Sequence, residues 1–361
     1  MTVALLLVGF GNVGRRFVTL LEELRAPLVA RGIEPRVVGI VTRRHGCAYD
    51  AAGLDAVQAA QMVAGGGAVG PASAPSTLEW IARLRSKRAE TRVLVETTTL
   101  DVRSGEPAIS HVRAGFAAGA HVITANKGPA AFAYRALARE AAAAGVSFLF
   151  EGAVMDGIPV FNFVRETLPA ATIRSFRGVV NTTTNHILTA LERGEPFDAA
   201  LARMQAEGVA EADPSLDLDG WDAAAKTAAM ANVWFDAGIT PLTVRREGIS
   251  AETAVRTREA IARGRRLKLV AHATPRAGGA EAAVELCDLA PDDPLAILDG
   301  SANALEIDTW PAGRIVITQR DNGLEKTAYA LVSDLVTVID SVRRVRQVRR
   351  VRRVRRVPGT N

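Results

Sequence analysis

MTVALLLVGFGNVGRRF, residues 1–17, decides the fold. Its apolar run ends at Gly9, and Gly9, Gly11 and Gly14 then complete G-x-G-x-x-G, with Phe10, Asn12 and Val13 between them. In a strand–turn–helix setting the first glycine permits the tight turn and the second lets a pyrophosphate approach the backbone. The third packs helix on strand, and the phosphates lie at the helix N-terminus. An amphipathic pattern from Val13 to about Leu28 supplies the helix, and a second strand, Arg36 to Thr42, arrives at the right spacing. The apolar start has no basic leader and its glycines serve the turn, so it reads as strand one rather than as a secretory signal. A dinucleotide site is the implied result.

Outward from this motif, strand and helix patterns alternate. Strands are expected at Thr91–Val95, His121–Thr124 and Val146–Phe150, with helices at about Pro107–Ala118 and Ala130–Ala144 between them. That alternation predicts an α/β fold with a Rossmann-type doubly wound parallel sheet. Ligands of such sheets sit beyond the carboxyl ends of the strands, which places Thr97, Thr98 and Asn126-Lys127-Gly128 beside nicotinamide and substrate. An ordinary loop lysine is the other reading of Lys127. Where these folds usually carry an acid for the ribose 2′-hydroxyl, the chain reads Val41-Thr42-Arg43-Arg44. Two arginines can fork onto a 2′-phosphate, so NADP is favoured and NAD stays open; a solvent-facing basic turn is the alternative.

Composition narrows the class. The 361 residues suffice for two cores, and 48% hydrophobic with 5% aromatic residues suits an alanine-rich α/β protein. No apolar run is long enough to span a bilayer. Cys47 and Cys287 make neither a disulfide framework nor, with five histidines, a zinc pattern, so a reducing cytoplasm is expected. The net charge of +5 resembles a nucleic-acid signature, but nine arginines lie between Arg343 and Arg356, and without them the body carries −4. Valine recurs every third position from Val342 to Val357, a period that drifts around a helix and makes no sustained apolar face. Residues 343–361 therefore read as a disordered Arg/Val tail, with no specific nucleic acid and no membrane expected as partners.

The chemistry is clearest in GVAEADPSLDLDGWDAAAK, residues 208–226. Asp219-Gly220 offers a helix start, the alanine-rich run propagates it, and Glu211, Asp217, Asp222 and Lys226 form one expected cluster. Asp222 and Lys226, four apart, share a helix face. A lysine held by a carboxylate in a cleft can exchange a proton with a substrate oxygen, whereas the same pair on a surface is only a solvated salt bridge.

These segments together resemble homoserine dehydrogenase. The resemblance covers residues 2–342 and rests on Gly208-Val209-Ala210, Asp213-Pro214, Asp217-Leu218, Gly220, Asp222 and Lys226. It is supported by Thr124–Pro129, Glu151–Pro159, Gly178–Leu188 and Pro294–Leu305. It implies NAD(P)-dependent interconversion of L-homoserine and L-aspartate 4-semialdehyde in threonine, methionine and isoleucine biosynthesis. It further implies Lys226 as acid/base with Asp222 and Lys127 at the reacting oxygen, and a substrate pocket of Glu211, Asp217, Asp222, Thr182 and Thr183. The carried-over cofactor contacts add Gly323, and a sodium ion is implied near Glu151, Val154, Asp156 and Ile158. Departures from the family pattern are Met155-Asp156 in the ion loop, Thr182 in an Asn-Gly-Thr turn, Met204, and a glycine-rich closing segment reduced to Asp321-Asn322-Gly323.

The expected division is a dinucleotide domain over 1–150 and a mixed α/β catalytic and dimerisation domain over 151–318. A segment 319–342 returns to the first domain, and the tail follows. A homodimer without an ACT regulatory domain, and hence without threonine inhibition through one, is expected. Two other functions stay open: a different semialdehyde or alcohol dehydrogenase on this scaffold, and a non-catalytic dinucleotide-binding protein.

Overall fold

A computed structural model describes residues 1–71, 76–85, 91–208, 210–211, 213–321 and 323–354, the last six of these by backbone alone. The first sheet holds β1 (Thr2–Val8), β2 (Glu34–Val41), β3 (Cys47–Tyr49), β4 (Thr91–Glu96), β5 (His121–Thr124) and β6 (Phe148–Leu149), in the order β3-β2-β1-β4-β5-β6. Five of its strands run parallel. The expected parallel sheet gains one antiparallel edge, because the turn after β2 closes into a hairpin and returns as β3. Gly46 makes that turn with φ +73°, and the Thr42 hydroxyl donates to its carbonyl.

Alternation along β1 divides the core. Val3, Leu5 and Leu7 pack against Phe17, Val18 and Leu21 of the helix Asn12–Glu23. Ala4, Leu6 and Val8 face Val112 and Phe116 of the helix Ala108–Ala117 and Leu137 of the helix Gly128–Ala144. Both faces are therefore buried, as a parallel sheet requires.

The second sheet comprises β7 (Thr172–Val179), β8 (Arg245–Arg246), β9 (Arg266–Arg276), β10 (Gly279–Leu289), β11 (Asn303–Trp310) and β12 (Gly313–Gln319), ordered β12-β11-β7-β9-β10-β8. Apart from the parallel β8–β10 pair it is antiparallel. The helix Trp221–Phe235 packs on it, and its small face of Ala223, Ala224, Ala228 and Ala231 permits close approach. Asn232 of the same helix donates to the carbonyls of Ala130 and Ala131, at 3.1 and 3.0 Å, and so ties the second sheet's helix to the first sheet's.

The last described element is a helix, Leu324–Val354, that lies against the first sheet through Leu331, Leu335, Val338 and Ile339. It continues through residues 343–354, where a disordered Arg/Val tail was expected. Arginine is a good helix former, and the docked turns upstream remove the cost of nucleation. Residues 355–361 lie outside the described part. No helix among the described residues is long and apolar enough to cross a membrane.

Candidate active site

The glycine motif folds as its chemistry demands. Gly9 takes φ +87°, and a Cβ there would lie 2.6 Å from the backbone carbonyl of Thr97, so no other residue fits. A Cβ on Gly14 would press on the Gly9 carbonyl at 3.0 Å. At Gly11 a Cβ would meet nothing within 4 Å, which leaves open space before a helix N-terminus that no side chain caps. Free N–H groups facing open space fit a pyrophosphate. Asn12 is exposed and Val13 half-buried, whereas the Phe10 ring belongs to the core beneath the motif, leaving only its backbone for a ligand. Thr97 follows β4, and its hydroxyl donates to the Gly9 carbonyl at 2.9 Å. Arg43 and Arg44 are exposed at the tip of the β2–β3 hairpin. Exposed Gly323 directly precedes the last helix, and Asn322 lies outside the described residues.

Beyond the ends of β4 and β5 a buried network fixes the loops. The Glu96 carboxylate, fully buried, accepts from the Thr98 N–H and hydroxyl and from the Thr124 hydroxyl. Asn126 donates from its backbone to Thr124 Oγ1 and from its amide to the Thr98 carbonyl, and accepts from the Gly128 N–H. Lys127 is thus held between two pinned neighbours. Glu96 was not among the residues expected from sequence; a carboxylate closing the apolar run Val93-Leu94-Val95 is the signal that marks it.

Lys127 reaches out of the first sheet to Asp222, with Nζ 3.1 Å from Oδ1. Lys226 Nζ lies 2.8 Å from the other oxygen, Oδ2, and donates to the Val180 carbonyl at 2.6 Å. Asn181 Nδ2 donates to Asp222 Oδ2 at 3.1 Å and to Asp217 Oδ1 at 2.7 Å, and the Thr183 hydroxyl donates to Asp217 Oδ2 at 2.7 Å. One carboxylate therefore sits between two ammonium groups, with a second carboxylate one amide away.

Burial works to raise the Asp222 carboxyl, but the charges of Lys127 and then Lys226 outweigh it and hold Asp222 below the usual carboxylate range. Burial, followed by the charge of Asp222, pushes Asp217 above that range. Burial pulls Lys226 down; Asp222 first, then Asp156, pull it up further, and the ammonium ends above its ordinary value.

Three of the four clustered residues expected from sequence meet here. Glu211 does not: it is exposed, and the recorded bond to it comes from Gln205 to its carbonyl. Its neighbours Val209 and Ala212 lie outside the described residues. Thr182 opens the helix Thr182–Glu192, and its hydroxyl accepts from Asn303 Nδ2 at 3.3 Å. Asp219 does not cap the helix Trp221–Phe235; Gly220 takes the N-cap position with φ +76° and no side-chain bond.

The residues expected to hold sodium serve other ends. Both Glu151 carboxylate oxygens accept backbone N–H groups at the start of the helix Val160–Thr167, from Phe161 and Asn162 at 2.8 and 2.7 Å. Burial pushes the Glu151 carboxyl up to about 7. The Ile158 carbonyl accepts from the Val160 N–H, and Asp156, at φ +49°, accepts from the Thr327 hydroxyl. Glu151 and the Ile158 carbonyl are thus committed to backbone N–H groups, and Asp156 engages Thr327 through one of its two oxygens.

A dinucleotide cradle on one sheet, facing a carboxylate-held lysine from a second, defines an NAD(P)-dependent oxidoreductase. The family model for homoserine dehydrogenase matches residues 159–336. An NAD(+)-dependent homoserine dehydrogenase of Pseudomonas canavaninivorans is 34% identical over 94% of this chain and 97% of its own. The chain belongs to the homoserine dehydrogenase family. Among solved structures, a putative homoserine dehydrogenase of Archaeoglobus fulgidus is 28% identical with a TM-score of 0.80, covering 93% of this chain and 98% of that one. A hyperthermophilic archaeal homoserine dehydrogenase mutant in complex with NADPH is 25% identical with a TM-score of 0.76, covering 94% and 98%.

Proposed function

We propose that Lys226 is the acid/base of this homoserine dehydrogenase, with Asp222 and Lys127 completing the site at the substrate oxygen. The observation that carries the reading is the Lys127–Asp222–Lys226 chain, in which a lysine from each lobe meets one carboxylate. The bound nicotinamide supplies or accepts the hydride. In reduction of L-aspartate 4-semialdehyde, Lys226 gives its proton to the oxygen that becomes the hydroxyl. In oxidation of L-homoserine it takes that proton back, which its raised affinity for protons opposes at neutral pH. Thr182, Thr183, Asp217 and Glu211 bind the rest of the substrate.

NADP is the preferred cofactor, supported by the exposed pair Arg43 and Arg44 after β2 and by the want of a carboxylate there. The relatives point both ways, one named for NAD(+) and one bound to NADPH. Assembly as a homodimer belongs to the same reading; exposed Trp310 and Val316 on the β11–β12 pair, with β12 at the sheet edge, support a partner surface.

NADPH oxidation with L-aspartate 4-semialdehyde, run beside NADH and beside Lys226→Ala, tests these assignments. The variant is expected to lose about 10²–10⁴-fold in kcat while binding cofactor as before. Full turnover without Lys226 would reject the acid/base role. Equal use of NADH and NADPH would reject the role of Arg43 and Arg44.

A further inference from the structure

Asn181 is buried, at 5% exposure, and every hydrogen-bonding group of its amide is committed. Its Oδ1 accepts the Thr184 N–H and the Thr184 hydroxyl, both at 2.9 Å, and so caps the helix Thr182–Glu192. Because Oδ1 must accept a backbone N–H, the orientation of the amide is settled, and Nδ2 faces Asp217 and Asp222 with one proton for each. A cap alone does not need asparagine. Serine caps as well, and aspartate caps as well, but neither carries two protons to the carboxylates.

We propose that Asn181 is a positioning residue: its amide bridges Asp217 and Asp222 and thereby fixes the Asp222 carboxylate against the Lys226 ammonium. Two like charges this close repel, and without a shared donor one of them turns away or takes up a proton. Asp217 then retains only the Thr183 hydroxyl, while Asp222 retains Lys127 and Lys226. The groups that set the ionisation of the pair are these two lysines, the two carboxylates themselves and Asp156, whose charge also acts on Lys226. Asparagine at this point adds to the lysines in favouring the ionised Asp222 and keeps it aimed, so that Lys226 holds its proton at the place where the oxygen receives it. The inference rests on the acid/base reading of Lys226.

The test compares Asn181→Ser and Asn181→Asp with the parent enzyme and with Lys226→Ala. Each is measured for kcat and KM in semialdehyde reduction across pH, for cofactor binding by fluorescence, and for Tm. Asn181→Ser keeps a capping oxygen, so its Tm and cofactor binding are expected to hold, whereas Asn181→Asp sets a third carboxylate against the pair and is expected to lower Tm. The expected result is a fall in kcat of about tenfold or more, with the acidic limb of the rate profile moved to higher pH. Folded variants with the parent's kcat and acidic limb would overturn the inference. If neither variant folds, Asp217→Asn probes the same contact from its other end. Removing the neighbouring charge is expected to move the acidic limb to lower pH, and an unmoved limb would overturn the inference. Full turnover in Lys226→Ala rejects the underlying reading; a strongly impaired Lys226→Ala beside unaffected Asn181 variants rejects only the role of Asn181.

Discussion

Lys226 spends its hydrogen bonds on the Val180 carbonyl and Asp222, and both neighbours favour the charged form. The rates in the two directions should therefore respond oppositely to pH. Homoserine oxidation is expected to climb through the alkaline range with no plateau below the ordinary lysine value of 10.5, and semialdehyde reduction to hold level and then fall. A stopped-flow pH profile of each direction checks this, and a plateau in oxidation near pH 8 would contradict it. The i, i+4 spacing made the Asp222–Lys226 pair legible in the sequence. What spacing cannot show is that Lys127, 95 positions before Asp222, lands on the same carboxylate, because that contact depends on how two lobes meet. Asn181 entered the sequence reading only as part of a family turn, and its face toward Asp217 and Asp222 exists only in the folded site. At Gly9 sequence and structure agree on one cause, the positive φ and the Thr97 backbone. Gly9→Ala is expected to cost more than about 1 kcal/mol and to lower both Tm and cofactor affinity.

Among the elements, the strands of the first sheet were the most legible, since runs such as Val93-Leu94-Val95 are apolar on both faces and flanked by turns. The short β3 was missed: three residues after a basic turn carry too little pattern to separate an edge strand from a loop. The last helix was half legible. Its docked part, through Ile339, has a regular apolar face, whereas the valines beyond it follow a period of three that argues against a packed face but not against helix. Packing and propensity are thus separable along one element. Leu335→Ala, in the docked part, is expected to cost about 2–5 kcal/mol by thermal or denaturant unfolding. Val348→Ala, at 52% exposure, is expected to stay within about 0.5 kcal/mol. Equal effects from the two substitutions would mean that the helix is not anchored through Leu335.

The whole molecule is two sheets joined by contacts that sequence spacing does not reveal, among them the Lys127–Asp222 ion pair, the Asn232 amide on the carbonyls of Ala130 and Ala131, and the Arg135–Asp236 ion pair. The site lies at the first of these joints, so catalysis requires the lobes to be docked. A partner surface on the β11–β12 pair predicts a dimeric mass by sedimentation, with Trp310→Arg shifting it toward monomer; a monomeric parent protein would remove that surface from the proposal. The terminal helix carries a further consequence, which concerns order in time. Leu331, Leu335, Val338 and Ile339 complete the core beneath β1, yet the ribosome releases them some three hundred residues after it. The lobe translated first is therefore the lobe finished last. The nascent chain must carry an open apolar groove throughout synthesis of the second lobe, and it closes only once residues 331–339 have been made.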